Sequence, residues 1–94
     1  MGRYRVLSTS AFEREARRIH ERDPRMREAL VEAVTLLEAD PLSSQRRANI
    51  RKLVNVPAGE GQYRLRIGDY RLRYDVVGGE VILHSVRPRG QAYR

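Results

Sequence analysis

Strict alternation of apolar and charged residues dominates the second half of the chain. Tyr63-Arg64-Leu65-Arg66-Ile67 and Tyr70-Arg71-Leu72-Arg73-Tyr74 each read as a half-buried strand, and Gly68-Asp69 between them is a two-residue hairpin turn. That turn sets the register. Ile67 faces Tyr70, Leu65 faces Leu72 and Tyr63 faces Tyr74 on one side; Arg66 faces Arg71 and Arg64 faces Arg73 on the other. Gly78-Gly79 predicts a second tight turn and a strand from Val81 to about Arg87, with Pro88 ending it. Carried through that turn, the register sets Val76 against Val81 and Tyr74 against Leu83 on the apolar side. It sets Arg73 against His84 and Arg71 against Val86 on the charged side, and strand parity sends Arg87 to the apolar side.

The first half has a different period. Residues 3–7 read as a strand. Ser10 with Glu13 is a capping-box pattern, predicting a helix over about 11–21 with Phe12, Ala16 and Ile19 on its apolar stripe. Asp23-Pro24 reads as cap and first residue of a second helix. That helix runs to about Ala39 with Met26, Leu30, Ala33, Val34 and Leu37 on one face, and Asp40-Pro41 stops it. Ile50 to Val54 reads as a weak strand, and Pro57 to Gly61 as a loop. The predicted order is β-α-α-β-β-β-β: an α+β fold of one domain over residues 1–94, with a helical hairpin packed on a mostly antiparallel sheet of four to five strands.

Charge adds what periodicity does not show. The net charge is +7, and it is unevenly distributed. Residues 1–41 hold eight arginines and eight acids; residues 42–94 hold eleven basic residues against four acids, so the whole excess lies in the strand-rich half. Like charges directly opposite each other destabilise a sheet. Four guanidiniums set against one another across the hairpin therefore call for an anion, and a polyanion such as nucleic acid meets that need. There is no cysteine, which removes disulfides and thiolate metal sites. No His/Asp/Glu cluster has metal-ligand spacing, so no cofactor or metal is expected. No apolar run approaches the roughly 20 residues of a membrane helix, and the N-terminus lacks a signal-peptide core; a soluble cytoplasmic protein is expected.

Tyr63 to Arg71 resembles the strand-turn-strand core of the RelE/ParE toxin superfamily. Arg87-Pro88-Arg89-Gly90-Gln91-Ala92-Tyr93 resembles the C-terminal signature of its RelE branch, archaeal-type members in particular. The element order agrees, and the resemblance spans essentially the whole chain. It implies the toxin of a type II toxin–antitoxin system: a ribosome-dependent, metal-independent endoribonuclease acting on messenger RNA in the ribosomal A site. The 2′-hydroxyl would attack the adjacent phosphate and leave a 2′,3′-cyclic phosphate. The implied partners are the ribosome and an acidic, RelB-like antitoxin. Arg71, after Gly-Asp-Tyr, matches the arginine at the scissile phosphate, and Arg64 matches a second functional arginine. Arg89 of Pro-Arg-Gly matches a transition-state stabiliser, with Arg87 the alternative in that role. Tyr93 matches the tyrosine that orients the substrate nucleotide, and Lys52, before Leu53, matches a Lys-Leu position.

Lys52 is the one lysine beside eighteen arginines. Lysine can give up its proton when cations surround it and arginine cannot, so Lys52 is the better base candidate of the two types; His84 and Tyr93 are the other candidates. Arg46, Arg47, Arg51, Arg66, Arg73 and Arg87 are assigned to ribosomal or messenger RNA, since phosphate contacts position without reading sequence. Two other function classes fit the same residues. One is a ParE-like gyrase inhibitor, against which the late arginine and tyrosine argue. The other is an RNA- or ribosome-binding module without chemistry.

Overall fold

A computed structural model describes residues 3–47 and 49–91. Strand β1 (Arg5–Ser8) leads into helices α1 (Ser10–Arg22) and α2 (Met26–Ala39). Strands β2 (Ile50–Lys52), β3 (Tyr63–Ile67), β4 (Tyr70–Val77) and β5 (Glu80–Pro88) follow, and then a short 3-10 turn over Arg89–Gln91. The sheet runs β1-β5-β4-β3-β2. Every neighbouring pair is antiparallel except β1 with β5, which is parallel and brings the start of the chain against its last strand.

Both helices cover one face of this sheet. Phe12 and Ile19 of α1 and Ala33 and Leu37 of α2 join Leu65, Ile67, Leu72, Tyr74, Val81, Leu83 and Val86 in one core. The largest of these, Tyr74, is fully buried; it stacks on Tyr63 with ring centroids 5.4 Å apart and donates its hydroxyl to the Pro41 carbonyl at 2.7 Å. Burial pushes the phenol well above its ordinary pKa, so it stays a donor and fastens the α2–β2 connection to the core.

The β3–β4 hairpin has the expected register, residue for residue. Gly68 in its turn has φ +56°, a conformation glycine adopts without a Cβ clash. Two helix starts and one strand end differ from expectation. Thr9, one residue before Ser10, caps α1: its Oγ1 accepts the Phe12 N–H at 3.1 Å and donates to the His84 carbonyl at 3.2 Å. The cap is shifted because Thr9 is also held by β5, its own N–H bonding Leu83 O. Asp23 closes α1 through its N–H to Ile19 O, so it does not cap α2. Pro24 stands in the turn before α2, which begins at Met26 with no side-chain cap. β2 ends at Lys52, and Val54 and Asn55 form a turn.

The larger correction concerns β5. A bulge interrupts the β4–β5 ladder between Arg73 and Tyr74. Tyr74 still pairs with Leu83, but Arg73 pairs with Ser85, Leu72 with Val86 and Arg71 with Arg87. The extra residue is His84, and it reverses parity for everything after it. Val86 therefore enters the core at 1% exposure, and Arg87 joins the arginine side instead of the apolar side.

Candidate functional site

The face of the sheet away from the helices carries the arginines in two transverse rows. Arg66, Arg71 and Arg87 are register neighbours across β3, β4 and β5; Arg51, Arg64 and Arg73 are register neighbours across β2, β3 and β4. Strands lie about 4.8 Å apart, so each row gathers three cations within roughly 10 Å of backbone. No acid stands in either row.

The two rows differ in what holds them. Arg73 is committed within the protein: its Nε donates to Gly61 O at 2.8 Å and its NH2 group to Glu60 O at 3.1 Å. The loop before β3 thus folds over this end of the face. Gly61 makes that approach possible, since its φ is +82° and a Cβ there would lie 2.9 Å from the Arg73 Cβ. Asp75, two residues along β4, fastens the same loop. Its carboxylate accepts the Gly61 N–H at 2.9 Å and the Gln62 N–H at 3.0 Å, and meets His84 Nε2 at 2.6 Å. Burial works to raise the Asp75 pKa, but those two N–H groups and the facing imidazole outweigh it and hold the carboxyl below its ordinary range. His84, which faces this carboxylate, is the bulged residue of β5. Asp75 and Gly61 were not singled out from the sequence. The signal for Asp75 was an acid at the outward parity of β4, directly after the outward Arg71 and Arg73.

In the other row Arg71 is the central cation and is only 6% exposed. One terminal nitrogen donates to Tyr70 O at 3.3 Å, whereas its buried Nε finds no acceptor among the described residues. A buried guanidinium with an unused donor, between two further arginines, costs stability in isolation. Arg87 beside it is half exposed, and its Nε bonds Glu15 Oε2 of α1 at 2.8 Å. Arg66 is exposed, with its backbone N–H on Asn49 O.

The remaining sequence-derived candidates fall in different places. Lys52 does not join the arginines. It pairs with Tyr63 on the helix-covered side, its Nζ 5.7 Å from the Tyr63 ring centroid, and Arg51 is the β2 cation facing Arg64. β2 alternates like any strand, so adjacent residues take opposite faces. Arg89 is exposed beyond β5, its N–H bonding Asp69 O in the β3–β4 turn. Arg46 and Arg47 lie in the α2–β2 connection, where Arg47 Nε sits 3.5 Å from Asp40. Asp40 is held below the usual carboxylate range by the Ser44 N–H foremost. Tyr93 lies outside the described residues. Among the described residues no group of three or more His, Asp or Glu side chains is arranged to hold a metal ion. No helix among them is long and apolar enough to cross a membrane.

Comparison with known proteins agrees with this architecture. A chain of the archaeal RelE–RelB complex from Pyrococcus horikoshii OT3 superposes with a TM-score of 0.70 at 24% identity, covering 95% of this chain and 98% of that one. YafQ from Escherichia coli BL21(DE3) gives 0.73 at 14% identity, covering 97% and 99%. A chain of the Mycobacterium tuberculosis toxin–antitoxin complex RelBE2 gives 0.55 at 25% identity, covering 93% and 99%. No curated protein sequence matches. The family model for the ParE toxin of type II toxin–antitoxin systems matches residues 6–93. With the two-helix, five-stranded fold of the RelE-like toxins and a family match over nearly its whole length, the chain belongs to the ParE toxin family of type II toxin–antitoxin systems.

Proposed function

We propose that this toxin is a ribosome-dependent endoribonuclease of the RelE type, acting in the cytoplasm on messenger RNA and neutralised by an acidic antitoxin. The observation that carries the reading is the Arg66–Arg71–Arg87 row, with the buried Arg71 Nε lacking an acceptor among the described residues. A phosphate set on that row would supply the acceptor and relieve the repulsion between the three cations. As the 2′-oxygen attacks the neighbouring phosphorus and the 5′-oxygen departs, negative charge builds on the phosphate. Fixed guanidiniums stabilise that charge more than they stabilise the ground state. Arg71 is the central clamp, with Arg64 on the adjacent strand. Arg87 flanks Arg71 in register, and Arg89, next along the chain, reaches toward the leaving group. Tyr93 is assigned to the nucleotide. Positioning by the ribosome would contribute the orientation that a small open face cannot provide.

The relatives solved as RelE–RelB and as a toxin–antitoxin complex support an antitoxin partner for this chain. The test is Arg71→Ala. Messenger-RNA ends mapped after brief induction should show cuts with the wild type and none with the variant, while urea denaturation finds the variant no less stable, because an unsatisfied buried donor has been removed. Undiminished cutting by Arg71→Ala would overturn the assignment. A second reading has one observation in its favour, since the matching family model is that of ParE. It predicts inhibition of gyrase supercoiling by purified toxin and no cut messenger RNA.

A further inference from the structure

The edge of β5 beyond β1 carries a second cluster of cations that the even charge balance of the first half conceals. β1 pairs only with residues Glu80 to Leu83 of β5. Past that point α1 runs along the strand edge, leaving a notch of about 260 Å³ lined by Arg18 and Arg22 of α1 and Arg87 of β5, with Ile19 and Val86 among the lining residues. Arg18 and Arg22 are both exposed and stand one helical turn apart, where like charges disfavour the helix. The acid in the notch is Glu15, and both of its oxygens are taken: Oε1 accepts the Val86 N–H at 3.1 Å and Oε2 the Arg87 Nε at 2.8 Å. Neither Arg18 nor Arg22 has an acidic partner among the described residues.

An exposed strand edge ordinarily invites an added peptide strand. Here the edge is closed to one. Thr9 Oγ1 occupies His84 O and Glu15 occupies Val86 N–H. Ile19 and Val86 are already buried in the core, at 5% and 1% exposure, and offer little to an amphipathic helix. What remains to a partner is guanidinium charge, and Arg87 joins that charge to the Arg66–Arg71 row.

We propose that the α1–β5 notch is a phosphate-backbone site for RNA, extending the track from the arginine face around the sheet edge onto Arg18 and Arg22. It rests on the reading of the arginine face as an RNA surface, and it assigns that RNA a path. The test is the variant Arg18→Gln/Arg22→Gln, which keeps good helix formers in place. Binding of wild type and variant to oligouridylate and to ribosomes is measured across a salt series. Each phosphate contact to a single strand contributes about 0.7 to the slope of log K against log salt, so losing two lowers the slope by about 1.4 and weakens binding at low salt. Circular dichroism and antitoxin affinity should be unchanged. An unaltered slope would overturn the site, as would a loss confined to antitoxin affinity, which would mark the notch as a surface for an acidic protein. Wild type that binds RNA with the steeper slope yet never cuts would sink the nuclease reading and leave this site standing.

Discussion

Replacing Asp75 by alanine is expected to be among the most damaging single changes in this protein. The carboxylate is 2% exposed and holds three donors: two backbone N–H groups of the loop before β3, and the His84 imidazole. Alanine strands all three. A buried donor left without its acceptor costs about 1–3 kcal/mol. Some of the loop will move to reach water, so the lower end of the sum over three donors, about 3 kcal/mol, is the working value. A small domain has only about 5–15 kcal/mol in total. Each kcal/mol corresponds to about 4–8 °C in a domain of this size, which puts the fall in Tm at about 12 °C or more. Urea denaturation with unchanged m-value gives the free energy directly. The pH dependence is a separate check. The folded-state pKa of Asp75 is lowered, so its stabilisation is present above the unfolded carboxylate value of about 3.9 and is lost as pH falls through the folded value. The gap between wild type and Asp75→Asn should therefore be full at neutral pH and close progressively below about pH 4. A loss under about 0.5 kcal/mol for Asp75→Ala, the range of an ordinary surface change, would refute the reasoning.

Two further outcomes test the site's construction. Gly61→Ala combines a left-handed φ with a clash against the Arg73 Cβ, and should destabilise by about 1–3 kcal/mol in thermal melts, with release of Arg73 from the loop carbonyls. Arg51→Gln should weaken RNA binding several-fold more than Lys52→Gln, because Arg51 lies in an arginine row while Lys52 sits against Tyr63 on the other side; filter binding at low salt ranks the pair, and the reverse order would undo the face assignment.

Much of this architecture was open to reading residue by residue. The alternation of Tyr63 to Tyr74 around Gly68-Asp69 determined the hairpin, its register and the gathering of arginines on one face, because a period of two leaves a half-buried strand one workable orientation. The helical stripes of Phe12, Ile19, Ala33 and Leu37 determined which faces would cover the sheet. Tertiary structure decided the rest. The bulge at His84 put Arg87 beside Arg71, and no local pattern announces a single extra residue in a ladder. Parity on the short strand β2 sent Lys52 to the far side. The loop folded back on Arg73 and Asp75 tied Arg73 to backbone carbonyls, while the neighbouring row kept a buried Arg71 whose Nε has no acceptor among the described residues. Periodicity records which way a side chain points from its own strand. Which neighbour it meets there depends on contacts between residues far apart in the chain, and these bound Arg73 to the loop before β3 and set Arg87 beside Arg71.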